Sequence, residues 1–174
     1  QLKEESGNTS KLAEVKILRS LLLSQYADTF GPIPYDQIAN ALNGIIYPEY
    51  RSEKDVYLGT TEFKGVLEIL DESIQTLKNS TDELFANDIF YNADREKWIK
   101  FASSILLRLS IRISDVETEM ARTYINKAVS YGVIMDEGDI AKVNHRPTTT
   151  GEPSYLDNSV ATSLLTLKRE RGYC

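Results

Sequence analysis

Apolar residues recur at helical spacing in four stretches of the chain, and polar or proline-rich segments divide them. Between Ser10 and Phe30, the residues Val15, Leu18, Leu22, Tyr26 and Phe30 recur every three or four positions, with Leu12, Ile17 and Leu21 widening the stripe. This spacing predicts a helix capped by Thr9 or Ser10 and stopped by Gly31 and Pro32. A second helix is expected over Glu53–Asn79, with Phe63, Val66, Leu67, Leu70, Ile74 and Leu77 on one face. The third, Arg95–Ile113, is apolar on several sides through Trp98, Phe101, Ala102, Ile105, Leu109, Ile99, Leu106, Ile111 and Ile113, and so should be central. Ser114-Asp115-Val116-Glu117 has the pattern of a capping box, which predicts a fourth helix over 115–131 and a tight αα-hairpin with the third. The fold class read from this pattern is all-α.

The connecting segments have a different texture. From Gly31 to about Ser52, Pro32, Pro34 and Pro48 remove amide donors and fix their backbone angles, so a long regular element is not expected. The same stretch carries Tyr35, Tyr47 and Tyr50, with room for a short helical turn near Tyr35–Leu42. A structureless loop of this length in a compact domain is often functional. The segment 133–158 reads as loop or short extended pieces, and Val160–Leu167, capped by Ser159, as one more short helix.

Composition narrows the function classes. With 174 residues, 41% hydrophobic and 26% charged, the chain is globular and is one domain or a piece of a larger one. A net charge of −6 argues against nucleic acid and against an anionic membrane surface, and leaves sugars and proteins open as partners. No apolar stretch approaches the roughly 20 residues needed to cross a bilayer. A chain that begins with Gln1 and not Met is expected to be cut or trimmed from something longer.

No constellation for catalysis emerges. The only histidine, His145, and the only cysteine, Cys174, exclude a cysteine-built zinc site and two-histidine metal sites, and nearly exclude Cys–His and Ser–His–Asp arrangements. No phosphate-binding glycine loop or nucleophile elbow is present. No cofactor is expected. Asp88 with Asp94, and Asp136 with Glu137 and Asp139, are the carboxylate groups that a two-acid hydrolase would need, but both sets lie in polar loops where acids ordinarily cap helices. On the apolar third helix, Arg108 and Arg112 at i, i+4 are expected to bridge to carboxylates or carbonyls, with an anion clamp as the functional alternative. Trp98 reads as a core anchor before a sugar platform. Tyr47 and Tyr50, flanking Pro48 in an irregular loop, are the better platforms, since a tyrosine ring stacks on a sugar face while its hydroxyl bonds to sugar hydroxyls.

The order of segments resembles a known family. Ala13-Glu14-Val15-Lys16-Ile17-Leu18-Arg19 leads into Tyr26-Ala27-Asp28-Thr29-Phe30-Gly31-Pro32-Ile33-Pro34-Tyr35. Asp55-Val56-Tyr57, Asp88-Ile89-Phe90-Tyr91-Asn92-Ala93-Asp94, Lys97-Trp98-Ile99-Lys100-Phe101-Ala102-Ser103-Ser104 and Leu106 to Ser114 follow. Together, over about residues 10–132, they resemble the SusD/RagB family of Bacteroidetes surface glycan-binding lipoproteins. That resemblance implies tetratricopeptide-like helical hairpins, a lipid anchor at the outer membrane, and capture of oligosaccharide for a TonB-dependent SusC-like transporter, without cleavage. Family members are considerably longer, and Ala93-Asp94 stands where the family has Gly-Asp. The chain is therefore expected to be a partial SusD-like helical domain that supplies scaffold. The rival readings are a helical-repeat adaptor for protein partners and, last, a two-carboxylate enzyme.

Overall fold

A computed structural model describes residues 7–38, 44–86 and 88–143. The short helix expected at 160–167, His145 and Cys174 lie outside the described residues, as does the end of the turn expected near 35–42. The helices are α1 (Thr9–Phe30), α2 (Glu53–Leu58), α3 (Val66–Asn79), α4 (Arg95–Arg112) and α5 (Thr118–Tyr131), followed by a single 3-10 turn at Glu137–Asp139. Among the described residues there is no strand, only the isolated bridges Ile33–Arg51 and Gly59–Lys64.

The cap of α1 is Asn8, one residue before Thr9 and two before Ser10, the caps expected. The Asn8 side chain accepts from the Lys11 amide at 2.9 Å and also ties the helix to the Glu83 carbonyl at 2.9 Å. At the other end Gly31, at φ 80°, donates its amide to the Ala27 carbonyl and stops the helix where expected.

The α1 stripe faces the wrong way for a core. Its buried side is Ser10, Ala13, Glu14, Ile17, Ser20, Leu23, Ser24 and Ala27. Leu22, Tyr26 and Phe30 are instead 64%, 45% and 66% exposed. The physical reason is close approach: small Ala and Ser side chains let α1 lie tightly against α3, and the bulky residues are left on the far side.

Two further expectations are corrected. The single helix over 53–79 is broken into α2 and α3 by a turn between Gly59 and Gly65. Gly59 sits at φ +79°, and a Cβ on either glycine would meet backbone of the other at 2.4–2.5 Å. Only glycine permits that crossing. The capping box at 114–117 also does not form. The amides of Ser114, Val116 and Glu117 bond back to the Ile111 and Ile113 carbonyls, and α5 begins at Thr118 without a side-chain cap. Glu117 is drawn away to Lys54 at 2.5 Å.

The core is assembled around α3, whose Val66, Leu67, Leu70, Ile74 and Leu77 are all fully buried. It touches α1, α2, α4 and α5, so α3 is the most enclosed helix. α4 adds Trp98, Ala102, Ile105, Leu106 and Leu109 from one side, while Arg108, Ile111 and Arg112 on its other side are exposed. α5 packs on α4 as the second arm of a helical hairpin through Ala121 and Ala128. The result is all-α, with helical hairpins separated by long irregular loops.

Candidate functional site

The tyrosine-rich segment after α1 is a loop with a pinned base and a free tip. Ile33 and Arg51 exchange both backbone hydrogen bonds, at 3.1 and 2.8 Å, and close the base. The Arg51 guanidinium then binds Asp36 with two nitrogens, at 2.7 and 2.9 Å, and Glu49 at 2.8 Å, and lies 5.2 Å from the Phe63 ring centroid. A forked cation against a carboxylate is the strongest ordinary ion-pair geometry. Hydrogen bonding from Arg51 holds the Asp36 carboxyl below its usual range. Tyr35 seals the inner side. It is 3% exposed, its hydroxyl donates to the Lys64 carbonyl at 3.0 Å, and burial pushes its pKa up to about 12.

Beyond that base the chain points outward. Ile46 and Tyr47 are 73% and 92% exposed, and Tyr50 is 68% exposed. Neither Tyr47 nor Tyr50 makes a hydrogen bond or ring contact among the described residues, so both ring faces and both hydroxyls are uncommitted. The Glu49 amide between them donates to the Gln37 side chain at 2.8 Å, which steadies the tip.

Beside this loop is a cleft that the sequence reading missed. It holds about 490 Å³ and lies between the end of α1, α2 and the α4–α5 turn. Asp28 Oδ1 accepts from the Tyr57 hydroxyl at 2.7 Å and faces Arg112 Nε at 3.1 Å. Leu58, Ile113 and Val116 supply apolar lining, and Lys54 with Glu117 closes one side. Burial, then the bond to Asp28, raises the Tyr57 pKa, so this phenol stays protonated and donates. The signal for the cleft was in the sequence. Asp28, Tyr57 and Arg112 each belong to a different one of the family-like segments, and the structure brings the three together.

The other singled-out residues are placed as follows. Arg112 finds its carboxylate in Asp28. Arg108 does not fulfil the bridging expectation: it is exposed and makes no ion pair or hydrogen bond among the described residues. It lies one turn before Arg112 on the side of α4 that is left exposed. Trp98 is 1% exposed, packed edge-on against Phe90, Tyr91 and Phe101 with centroids 5.8–6.1 Å away.

Four of the five acids considered for catalysis hold a hydrogen-bonded or ion-paired partner. Asp88 accepts from the amides of Phe90, Tyr91 and Ala93 and from Trp98 Nε1. Burial alone would raise its pKa, but these donors prevail and lower it. They also explain the left-handed backbone at Asn92 and Ala93, φ 52° and 66°, since the loop must curl around one carboxylate. Asp94 caps α4 through the Lys97 amide at 3.2 Å. Asp139 pairs with Lys100 at 2.7 Å, and Glu137 with Lys142 at 3.0 Å. Among the described residues no group of three or more His, Cys, Asp or Glu could hold a metal ion. None of the described helices is long and apolar enough to cross a membrane.

Comparison with known proteins places this architecture. The model of the SusD-like family, SusD and RagB outer membrane lipoproteins, matches residues 1–167. Among solved structures, a SusD homolog from Bacteroides uniformis ATCC 8492 superposes with a TM-score of 0.70 and 33% identity over 83% of this chain and 29% of its own. A SusD-like protein from Bacteroides thetaiotaomicron VPI-5482 gives 0.63 and 34% over 74% of this chain and 26% of its own. A chitin-binding SusD homolog from Flavobacterium johnsoniae gives 0.63 and 30% over 76% and 27%. No curated protein matches the chain. The chain thus spans less than a third of the length of these relatives. With the family match running nearly end to end over helical hairpins of the same class, the chain belongs to the SusD-like family of outer membrane lipoproteins.

Proposed function

We propose that the protein is a non-catalytic glycan-capture component of the outer membrane, working with a TonB-dependent SusC-like transporter. This chain, as a single partial SusD-like domain, supplies its helical scaffold. The observation that carries the reading is the family membership together with a chitin-binding homolog at 30% identity. The absence of catalysis is supported by the fate of the acids: Asp88, Asp94, Asp139 and Glu137 each hold a structural partner.

Within this chain, the glycan contact we assign is the loop tip. Tyr47 and Tyr50 present uncommitted rings on a rigid base, which is what stacking on a sugar face requires. A single exposed loop is not concave, and sugar sites need polar groups converging on one surface. The remaining contacts therefore come from other parts of the longer protein.

The test is calorimetric titration of chito-oligosaccharides and a wider glycan panel into the full-length protein, alongside a reducing-sugar assay. Binding without release of reducing ends is expected. Turnover would refute the non-enzyme reading, and no binding to any glycan would refute capture.

A further inference from the structure

The i, i+4 arginines of α4 stand at one end of the cleft between α1, α2 and the α4–α5 turn. Arg112 lines it and places Nε 3.1 Å from Asp28 Oδ1, which leaves both of its terminal nitrogens without a hydrogen bond among the described residues. Arg108, one turn earlier on the same exposed side of α4, has no ion pair or hydrogen bond among the described residues. Both charges reach the cleft. Burial and the bond to Asp28 raise the Tyr57 pKa, while Arg112 and Arg108 pull against that rise. Two guanidinium groups are thus gathered near Tyr57, and Asp28 pairs with only one of them.

A planar guanidinium fork matches a carboxylate, and residues at i, i+4 are neighbours on a helix surface, so the two can hold one anion together. The rest of the lining bears on what that carboxylate is attached to. Leu58, Ile113 and Val116 form an apolar wall. Asp28 Oδ2 and the Glu53 carboxylate accept no side-chain hydrogen bond among the described residues. An aliphatic or aromatic body would desolvate these acceptors without pairing them, which is costly. A sugar ring offers C–H surface to the wall and hydroxyl donors to both acids. The volume, about 490 Å³, lies within the range of small-ligand sites. We propose that the cleft is a second site, apart from the loop tip, for an acidic sugar. Its carboxylate sits on Arg108 and Arg112, its ring against Leu58, Ile113 and Val116, and its hydroxyls on Asp28 and Glu53. The inference rests on the reading of the protein as a glycan-capture component, and it names a class of sugar.

Calorimetry on the full-length protein compares di- and trimers of galacturonate and of glucuronate with their methyl esters, which keep the ring and lose the charge. An acid is expected to bind at least roughly tenfold tighter than its ester, the worth of about one charge-assisted hydrogen bond, and salt should shrink that advantage. Arg108→Gln should bring the acid down to the affinity of its ester. Because Arg108 is exposed and holds no partner among the described residues, this variant should keep its fold. Val116→Trp, at a residue 79% exposed, should fill the cleft and abolish acid binding while both arginines remain. Acids and esters binding alike, acid binding that survives either substitution, or benzoate binding as tightly as the acidic sugars would each overturn the inference. If other glycans bind but acids show no preference, the inference falls and the capture reading stands. If no glycan of any kind binds, both fall.

Discussion

The two long irregular segments, 31–52 and 80–94, look alike in sequence and behave in opposite ways. Both mix aromatic, acidic and amide residues between helices. In 80–94 the central carboxylate and the Phe90 and Tyr91 rings turn inward, while Phe85 and Ile89 stay exposed. Asp88 takes four donors, Phe90 and Tyr91 pack on Trp98 and Phe101, and Arg95 reaches back to Ser10, Leu77 and the Asp82 carbonyl. The same segment is sewn to α1 through Thr9 with Asp82 and through Glu14 with the Phe85 amide. In the described part of 31–52 the base is held, one bond from the Glu49 amide to Gln37 steadies the tip, and Tyr47 and Tyr50 project into solvent. The difference comes from where the carboxylate sits. Asp88 lies inside its loop and gathers the chain around itself, whereas Asp36 lies near the base and closes it like a clasp. One segment spends its polar groups on stability, and the other keeps them for contact.

The sharpest test of the inward segment is its anchor. Trp98→Ala removes a fully buried ring shared by three aromatic neighbours and should cost about 3–5 kcal/mol in chemical denaturation. A change under 1 kcal/mol would mean that the cluster is not a core.

Next comes Asp88→Ala, which strands the donors gathered on one carboxylate. About 1–3 kcal/mol is expected, the cost of leaving buried donors unsatisfied. The pH dependence has a definite sign. The folded Asp88 pKa is lowered, so its contribution is fully present above the ordinary aspartate value and is lost as pH falls through the depressed one. Wild-type stability should therefore decline on the acid side, below the ordinary aspartate pKa, and Asp88→Asn should flatten that decline. An unchanged acid limb in the variant would assign the effect to other groups.

The clasp of the outward loop should matter locally. Arg51→Ala removes the fork onto Asp36 but leaves α3 and its contacts intact. Faster amide exchange is expected at Ile33 and Arg51, with α3 amides unchanged. Global unfolding at lower denaturant would show that the loop base belongs to the core.

The smallest effect on stability belongs to the tip. Tyr47→Ala and Tyr50→Ala should each stay within about 0.5 kcal/mol of the parent, as exposed substitutions do. In the full-length protein the pair should nevertheless weaken glycan binding measurably by calorimetry. Unchanged affinity in the double variant would remove the loop from the site.

Periodicity alone determined that the chain is all-α and where most helices lie, because a 3.6-residue repeat is a local property. Gly31 and Asp94 act within a turn of their own positions, so those ends were legible too. The split at Gly59 and Gly65 was not, since its cause is two backbones meeting across a turn, which local spacing does not encode. Nor was the capping residue of α5, because Glu117 is claimed by Lys54 on a distant helix. Tyr47 and Tyr50 could be picked out as exposed candidates from proline-rich texture, but the Asp28–Tyr57–Arg112 cleft needed three separate segments to converge. α1 marks the boundary most clearly. Its sequence shows apolar residues on one side and small ones on the other, and a moment argument assigns the bulky side to the core. The tertiary structure chose the small side, because Ala and Ser let two helices approach more closely than Leu and Phe do, and Leu22, Tyr26 and Phe30 remained exposed.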